Sequence, residues 1–313
     1  MNIVVLDGLQ MNPGDLSWDP FSELGELKVY DRTSPDEVIS RSKDAGILVI
    51  NKVKITPAII DALPQLKMIA VTATGFDNVD VSYASSKGIV MSNAISYSTS
   101  SVTQYVIACI FDALQGISEH DRSVKSGDWS QRDVFSYTLF PVNEWSTKTL
   151  GVIGLGNIGR SVADIGRRMG MRVIAWNRSV KEIDVPQLNL EEVIASSDFL
   201  SMHLPLNDDT FHLMDEKRLN SMKKGACLIN AGRGSLVDTD ALLRSLDRDY
   251  ISGAYLDVLP QEPPFADDPV INHPKIKVTP HLAWCSVQAR EELMRQTVEN
   301  IAAFLSGNPV RML

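Results

Sequence analysis

The chain has 313 residues, of which 44% are hydrophobic and 22% are charged, and its formal net charge at pH 7 is −9. This length is typical of two domains, and the composition is that of a globular protein with sizeable cores. The acidic balance argues against non-specific binding to nucleic acids or anionic membranes, so we expect neither partner. Neither a charged leader nor an apolar run of 18 residues is present, which favours a cytoplasmic protein.

Three cysteines, Cys109, Cys227 and Cys285, are widely spaced and include no CxxC pair. An odd number without paired spacing is typical of reduced thiols rather than of a disulfide framework or a zinc site. We therefore expect no metal.

Short apolar runs alternate with polar or amphipathic stretches over the first 97 residues. This βαβ rhythm predicts a parallel sheet covered on both faces. No glycine fingerprint occurs there, so this part is not expected to bind a nucleotide. The predicted strands are Ile3–Leu6, Leu27–Tyr30, Gly46–Ile50, Met68–Thr72 and Ile89–Met91.

Apolar residues at spacings of three and four predict one long helix over residues 98–125. The following stretch, 126–148, carries several aromatic residues in a predicted loop. Two interpretations stay open for this aromatic loop, packing on its own chain or packing on a second subunit.

The second half resumes the alternation of strands and helices. The final helix is expected over 286–305, before Gly307, and to pack back on the first domain. The predicted strands are Thr149–Ile153, Arg172–Trp176, Phe199–His203, Cys227–Asn230, Ile251–Leu256 and Lys277–Thr279.

The first of these strands runs into Gly154-x-Gly156-x-x-Gly159 and then into a helical pattern. A strand, a glycine turn and a helix in this order predict dinucleotide binding. We expect Gly154 to form the tight turn, Gly156 to let the backbone approach the pyrophosphate, and Gly159 to let the helix pack on the strand.

Asn177 and Arg178 follow the second strand of this half, where NAD-binding domains usually have an acidic residue for the ribose. An asparagine does not repel a 2′-phosphate, and Arg178 can pair with one, which favours NADP. The alternative is that Arg178 is a solvated surface residue and NAD is bound through other contacts.

Three polar residues follow three successive predicted strands: Arg233 between two glycines, Glu262 before Pro263, and His281 after Pro280. Arginine suits a carboxylate, and histidine can protonate a carbonyl. A nearby glutamate favours protonated histidine and fixes its tautomer. Each residue alone is more often structural, but together at one crevice they predict a catalytic group.

Four stretches resemble the D-isomer-specific 2-hydroxyacid dehydrogenases: the Gly154 motif, 230–238, 257–263 and 279–283. The similarity covers essentially the whole chain. Within the family, 74–80, 97–102 and 281–284 most resemble the glycerate dehydrogenases, also called hydroxypyruvate reductases.

The resemblance implies two doubly wound parallel-sheet α/β domains with the active site between them. Residues 1–97 plus 286–313 would form a flavodoxin-like substrate domain, and 98–285 a Rossmann NAD(P)-binding domain. It also implies a homodimer formed through the nucleotide domain.

The resemblance also assigns site residues. Arg233, Glu262 and His281 would be catalytic, with Arg233 and His281 also contacting substrate beside Thr74, Gly75 and Trp284. The cofactor would contact Gly154, Gly156, Asn157, Ile158, Gly159, Asn177, Arg178, Leu204, Pro205, Thr210, Ala231, Arg233 and Asp257.

Two departures from the family pattern are expected to matter. Asn177 replaces the usual acidic residue, and Ala94-Ile95-Ser96 stands where many relatives have a glycine before the tyrosine.

The predicted function is reduction of a small 2-keto acid, with hydroxypyruvate or glyoxylate favoured, to the D-2-hydroxy acid with NAD(P)H. Other family dehydrogenases, acting on phosphoglycerate or formate, are an alternative. A nucleotide-sensing regulatory protein of the same fold is another, but the chain shows no charged interaction tail after its last helix.

Overall fold

All 313 residues are described in a computed structural model, in which the chain divides into two compact units. The first unit comprises Met1–Ser98 and Cys285–Leu313, and the second comprises Thr99–Trp284.

The first unit contains five strands and four short helices before the chain passes to the second unit. The strands are β1 (Asn2–Val5), β2 (Glu26–Val29), β3 (Ile47–Ile50), β4 (Met68–Val71) and β5 (Val90–Ser92). The helices are α1 (Asp19–Ser22), α2 (Val38–Ser42), α3 (Pro57–Asp61) and α4 (Val81–Ser86), with 3-10 turns at Gly8–Gln10 and Pro35–Glu37.

These strands form one parallel sheet in the order β2-β1-β3-β4-β5. Every residue of β3 and β4 is buried, because both faces of the sheet are covered. The chain moves from β1 to β2 on one side and then to β3 on the other. The change of direction therefore lies between β1 and β3.

The second unit opens with two helices, α5 (Thr99–Gln115) and α6 (Ile117–Lys125), so the prediction of one helix over 98–125 is wrong. The break is at Gly116, which has a left-handed backbone with φ 51°. A Cβ atom at Gly116 would lie 2.1 Å from Phe140 Cζ. Packing of the aromatic loop against this glycine therefore accompanies the change of direction, which hydrophobic periodicity does not reveal.

The rest of the second unit alternates strands and helices. Its strands are β6 (Thr149–Ile153), β7 (Arg172–Trp176), β8 (Phe199–Met202), β9 (Cys227–Asn230), β10 (Gly253–Leu256) and β11 (Ile276–Val278). Its helices are α7 (Asn157–Arg168), α8 (Leu190–Ser196), α9 (Glu216–Leu219), α10 (Thr239–Asp247) and α11 (Pro269–Asn272), with 3-10 turns at Trp145–Thr147 and Gly234–Leu236.

The second sheet is also parallel, in the order β11-β10-β9-β8-β6-β7. Alternate residues of one strand enter opposite cores, with Leu150 and Val152 in one hydrophobic cluster and Ile153 in the other. The two parallel sheets confirm the predicted α/β fold class. The change of strand direction lies between β6 and β8.

The last helix, α12 (Val287–Leu305), belongs to the first unit and packs against β4. Ser286 caps it by accepting a hydrogen bond from the amide of Ala289 at 3.2 Å. After Gly307 (φ 80°), Met312 forms a bridge with Ser92 beside β5.

The aromatic loop 126–148 packs only in part on its own unit. Tyr137 hydrogen-bonds Ser123, and Trp145 donates its indole N–H to Met169 O at 2.6 Å. Trp129 and Phe135 are instead 46% and 95% exposed. No helix of the structure combines the length and apolarity needed to cross a membrane.

Candidate active site

The turn between β6 and α7 depends on its glycines. Gly154 has φ 97°, and a Cβ atom there would lie 2.4 Å from His203 O. A Cβ atom at Gly159 would lie 1.8 Å from Gly154 O. Only glycine fits at these two positions. A Cβ atom at Gly156 would meet nothing within 4 Å, so open space lies beside the backbone where α7 begins.

A cleft of about 650 Å³ lies beside this turn, where the strand order reverses between β6 and β8. Ligands of doubly wound sheets bind at this position. The lining includes eight of the predicted cofactor residues, Gly154, Gly156, Asn157, Asn177, Arg178, Leu204, Pro205 and Thr210. Ile158 and Gly159 lie in the first turn of α7, whereas Ala231, Arg233 and Asp257 are outside the lining.

Asn177 lines this cleft and connects two of the segments that form it. Its side-chain oxygen accepts a hydrogen bond from the amide of Leu155 at 2.9 Å, and its amide group donates to Ser179 O at 2.8 Å. The side chain thus ties the end of β7 to the glycine turn. Asn177 was predicted only as a cofactor contact that favours NADP, and its structural role was not predicted.

The charged side chains in the cleft lining are mainly basic. Arg160, Arg178 and Lys181 line it together with one carboxylate, Asp209. Burial lowers the pKa of His203 to about 4, so this ring is neutral at pH 7. The basic residues at the Asn177 end therefore supply the positive charge, and Arg160 and Lys181 were not predicted from the sequence.

The pairing predicted between Glu262 and His281 is present in the second unit. His281 Nδ1 lies 2.7 Å from Glu262 Oε2, and the other carboxylate oxygen accepts the amide of Leu259 at 3.0 Å. The two side chains are 22% and 33% exposed, so both are accessible to solvent in the second unit. With Glu262 on Nδ1, the imidazole Nε2 is the nitrogen left to exchange a proton with a substrate.

Asp257 fixes the backbone on which His281 stands. His281 has φ 52°, which is unusual for a residue with a side chain. The buried Asp257 carboxylate accepts the amides of Leu282 and Ala283, and its main-chain oxygen accepts the amide of His281. Thr279 adds a hydroxyl donor at 2.7 Å. The carboxylate predicted to contact the cofactor thus also holds the histidine loop.

Arg233 follows β9 and is half-buried in a loop shaped by Asn230. The Asn230 side chain donates to Arg233 O at 2.9 Å and accepts the amide of Gly232 at 3.1 Å. A Cβ atom at Gly234 would lie 2.0 Å from the carbonyl carbon of Leu259. This close approach brings the arginine loop against the segment that leads to Glu262. The structuring role of Asn230 was missed, although the residue is part of the motif.

The remaining predicted substrate residues lie on separate elements. Thr74 and Gly75 follow β4 in the first unit, where Thr74 donates its hydroxyl to Ala94 O at 3.1 Å and Asn93 donates to Thr74 O at 2.8 Å. Trp284 is half-buried beside the second unit's core.

At Ile95 and Ser96, where the sequence departs from the family pattern, the backbone has an unusual conformation. Ser96 has φ 58°, the left-handed conformation that glycine adopts at no cost. Gln296 accepts the amide of Ile95 and donates to its carbonyl oxygen, both at 3.0 Å. The loop is therefore held in this conformation from α12.

The geometry fits a dinucleotide and an acid–base reaction. The N-terminus of α7, with open space at Gly156, suits a pyrophosphate. The Glu262–His281 pair suits proton transfer, and the nearby Arg233 loop suits an anion or a polarised carbonyl.

Comparison with known proteins points the same way. The family model described as D-isomer specific 2-hydroxyacid dehydrogenase, NAD binding domain, matches residues 107–283. A hydroxypyruvate reductase of Blautia hydrogenotrophica is 34% identical over 320 residues, covering 100% of this chain and 99% of that protein. A glycerate dehydrogenase of Methylorubrum extorquens is 38% identical over 288 residues, covering 91% and 90%.

A solved structure adds a neighbour with bound ligands. An acyclic imino acid reductase in complex with NADPH and D-Arg is 33% identical, with a TM-score of 0.89 and full coverage of both chains.

Proposed function

Because the chain belongs to the D-isomer-specific 2-hydroxyacid dehydrogenase family, we propose that it reduces hydroxypyruvate or glyoxylate to the D-2-hydroxy acid with NAD(P)H. The observation that carries this proposal is the contact of 2.7 Å between His281 and Glu262, next to the Arg233 loop. It supplies a proton donor beside a cation, as reduction of an anionic keto acid requires.

In the proposed reaction, different residues of the chain bind the substrate and transfer the proton. When bound along the glycine turn, the dinucleotide supplies a hydride to the keto carbon. Arg233 binds the substrate carboxylate and stabilises the negative charge that develops on the keto oxygen. His281 donates a proton from Nε2 to that oxygen, and Glu262 stabilises the imidazolium and holds its orientation. Thr74 and Gly75 stay a prediction for further contacts to the carboxylate.

The experiment that tests the function is a panel of 2-keto acids with NADH and NADPH in parallel. Hydroxypyruvate, glyoxylate and pyruvate differ in the group attached to the keto carbon, so their kcat/KM values rank the substrates. We expect turnover of hydroxypyruvate and glyoxylate, with D-configured glycerate as the product from hydroxypyruvate. Absence of turnover for all three with either cofactor contradicts the proposal.

For the cofactor, we propose that the chain uses NADPH at least as well as NADH. Asn177 carries no charge to repel a 2′-phosphate, and Arg178 is exposed in the cleft lining at the same end. We expect Arg178→Ala to weaken NADPH use roughly tenfold, because a charge-assisted contact is lost at an exposed position. Asn177→Asp should shift preference toward NADH. The measurement is kcat/KM for each cofactor at saturating keto acid.

Arg172→Ala is the matched control for this prediction, since Arg172 is exposed at the other end of β7. The prediction is contradicted if the wild type is strongly specific for NADH and Arg178→Ala affects both cofactors equally. Arg178 would then not bind the 2′-phosphate.

For assembly, we propose a homodimer in which the aromatic loop 126–148 packs on the partner. The support is the exposure of Phe135 (95%) and Trp129 (46%) in this loop. Light scattering at micromolar concentration should give twice the chain mass of 34.5 kDa. Phe135→Asp should shift the protein toward monomer, whereas Ile39→Asp, at an exposed apolar site of the first unit, should not. A monomeric wild type contradicts the proposal.

A further inference from the structure

The first helix of the second unit, α5, is hydrogen-bonded to the histidine loop, residues 279–283. Two hydroxyl side chains of the helix, Ser101 and Tyr105, are four residues apart and therefore lie on the same face. Ser101 donates its hydroxyl to Ala283 O at 2.6 Å, and the Tyr105 hydroxyl lies 2.7 Å from Thr279 Oγ1. The helix thus contacts the loop two residues before the histidine and two residues after it.

The hydrogen bond of Tyr105 has a defined direction. Thr279 has one hydroxyl proton and donates it to Asp257 Oδ1 at 2.7 Å. The Tyr105 hydroxyl is therefore the donor to Thr279, which accepts on an oxygen lone pair. Burial raises the pKa of the Tyr105 phenol, so the phenol keeps this proton at pH 7. Two hydroxyls in series consequently connect α5 to the carboxylate of Asp257.

Ala283 is held at both of its main-chain groups. Its amide donates to Asp257 Oδ2 at 2.9 Å, and its carbonyl oxygen accepts the Ser101 hydroxyl. Ala283 is 3% exposed, so these two contacts are shielded from water. Two positions earlier, His281 has φ 52°, a conformation that persists only where the surrounding structure constrains it. The contacts of Ala283 supply such a constraint next to the histidine.

The packing of α5 on the second sheet does not depend on these two hydroxyls. Val102, Val106 and Ile110 are buried in one hydrophobic cluster with Val152 of β6. The Tyr105 ring packs against the same cluster, so phenylalanine at this position keeps the packing and removes only the hydroxyl. The effect of the hydroxyls on the histidine loop can therefore be measured separately from the fold.

We propose that Ser101 and Tyr105 are positioning residues, which hold the histidine loop and thereby keep His281 Nε2 directed at the keto oxygen. This proposal rests on the proposed function, in which His281 donates the proton. The two hydroxyls act on the loop, so their loss should slow the reaction of bound substrate without weakening the binding of substrate.

Tyr105→Phe and Ser101→Ala test the proposal in the full-length chain. We expect each variant to lower kcat for the preferred keto acid roughly fivefold, the effect of losing one hydrogen bond, with KM changed less than about twofold. Ser101→Thr keeps the hydroxyl and should retain the wild-type kcat. Tyr255→Phe is the matched control and should also retain it, because Tyr255 hydrogen-bonds α5 further along the helix, at Asp112 Oδ2 (2.7 Å).

Amide hydrogen exchange gives a second readout, which does not depend on turnover. Peptides that cover 279–283 should exchange faster in Tyr105→Phe and Ser101→Ala than in the wild type, because the amides bound by Asp257 lose part of their support. Tyr255→Phe should leave the exchange of this segment unchanged.

The proposal is overturned if kcat is unchanged in both variants, with or without faster exchange. It is also overturned if Tyr255→Phe loses as much kcat, or if the loss appears in KM alone. Equal kcat of Ser101→Thr and Ser101→Ala overturns the part given to the Ser101 hydroxyl. A wild type inactive on every keto acid overturns the proposed function instead, and exchange in 279–283 then still shows whether the hydroxyls hold the loop.

Discussion

Replacement of His281 by alanine is expected to lower kcat for keto-acid reduction by at least ~10²-fold, the usual effect of removing a positioned acid–base group. The contact of 2.7 Å with Glu262 is the structural reason, because it orients the imidazole and leaves Nε2 for the substrate. Steady-state kinetics at saturating cofactor measure the effect. His273→Ala is a matched control, since His273 also pairs with a carboxylate, Asp247, at 3.3 Å. Near-normal turnover of His281→Ala contradicts the assignment of His281 as the proton donor.

Glu262→Gln separates the charge of the partner from its hydrogen bond. A carboxamide keeps a hydrogen-bond partner for Nδ1 but removes the negative charge beside the imidazolium, so we expect kcat to fall roughly tenfold while KM for the keto acid changes little. Steady-state kinetics at saturating cofactor are the measurement. An unchanged kcat contradicts the role given to Glu262.

Arg233→Met is expected to lower kcat/KM by about 10³-fold, because one side chain is proposed to bind the carboxylate and to stabilise the developing oxyanion. Arg233→Lys should recover only part of the loss, since an ammonium ion lacks the planar pair of donors. Arg248→Met, in an exposed ion pair with Glu216, controls for the loss of a surface arginine. Equal activity of Arg233→Met and the wild type contradicts the assignment.

Much of the secondary structure of the second unit could be predicted from the sequence, because the unit is built from short buried strands. Thr149–Ile153, Arg172–Trp176 and Cys227–Asn230 have the predicted bounds. Their apolar, β-branched runs are bounded by glycine or polar residues, and both faces are buried, so local pattern and tertiary environment agree. The family resemblance likewise implied that Glu262 and His281 act together, and the two side chains are in contact.

The wrong helix prediction and the site residues that were not predicted have one cause: both depend on contacts between segments that are distant in the chain. The helix break at Gly116 involves Phe140, and periodicity does not register a packing partner 24 residues later. Asn177 bonds the amide of Leu155 across the sheet edge, so its role depends on strand order rather than on its own neighbours. Arg160 lies on α7 and lines the cleft. The periodicity of a helix predicts which face is buried, but it does not predict which exposed residues face a ligand.

The anchoring of the histidine loop by Asp257 has a consequence for reading natural variation. The Asp257 carboxylate accepts hydrogen bonds from one hydroxyl and two amides of 279–283, so we expect its loss to lower turnover through the histidine loop. An allele that changes Asp257 should therefore behave in a genetic screen like one that changes the active site. Screens that rank residues by loss of activity alone will group Asp257 with His281, although one side chain is 2% exposed and the other is reachable from solvent. Chemical labelling, which requires access, separates the two.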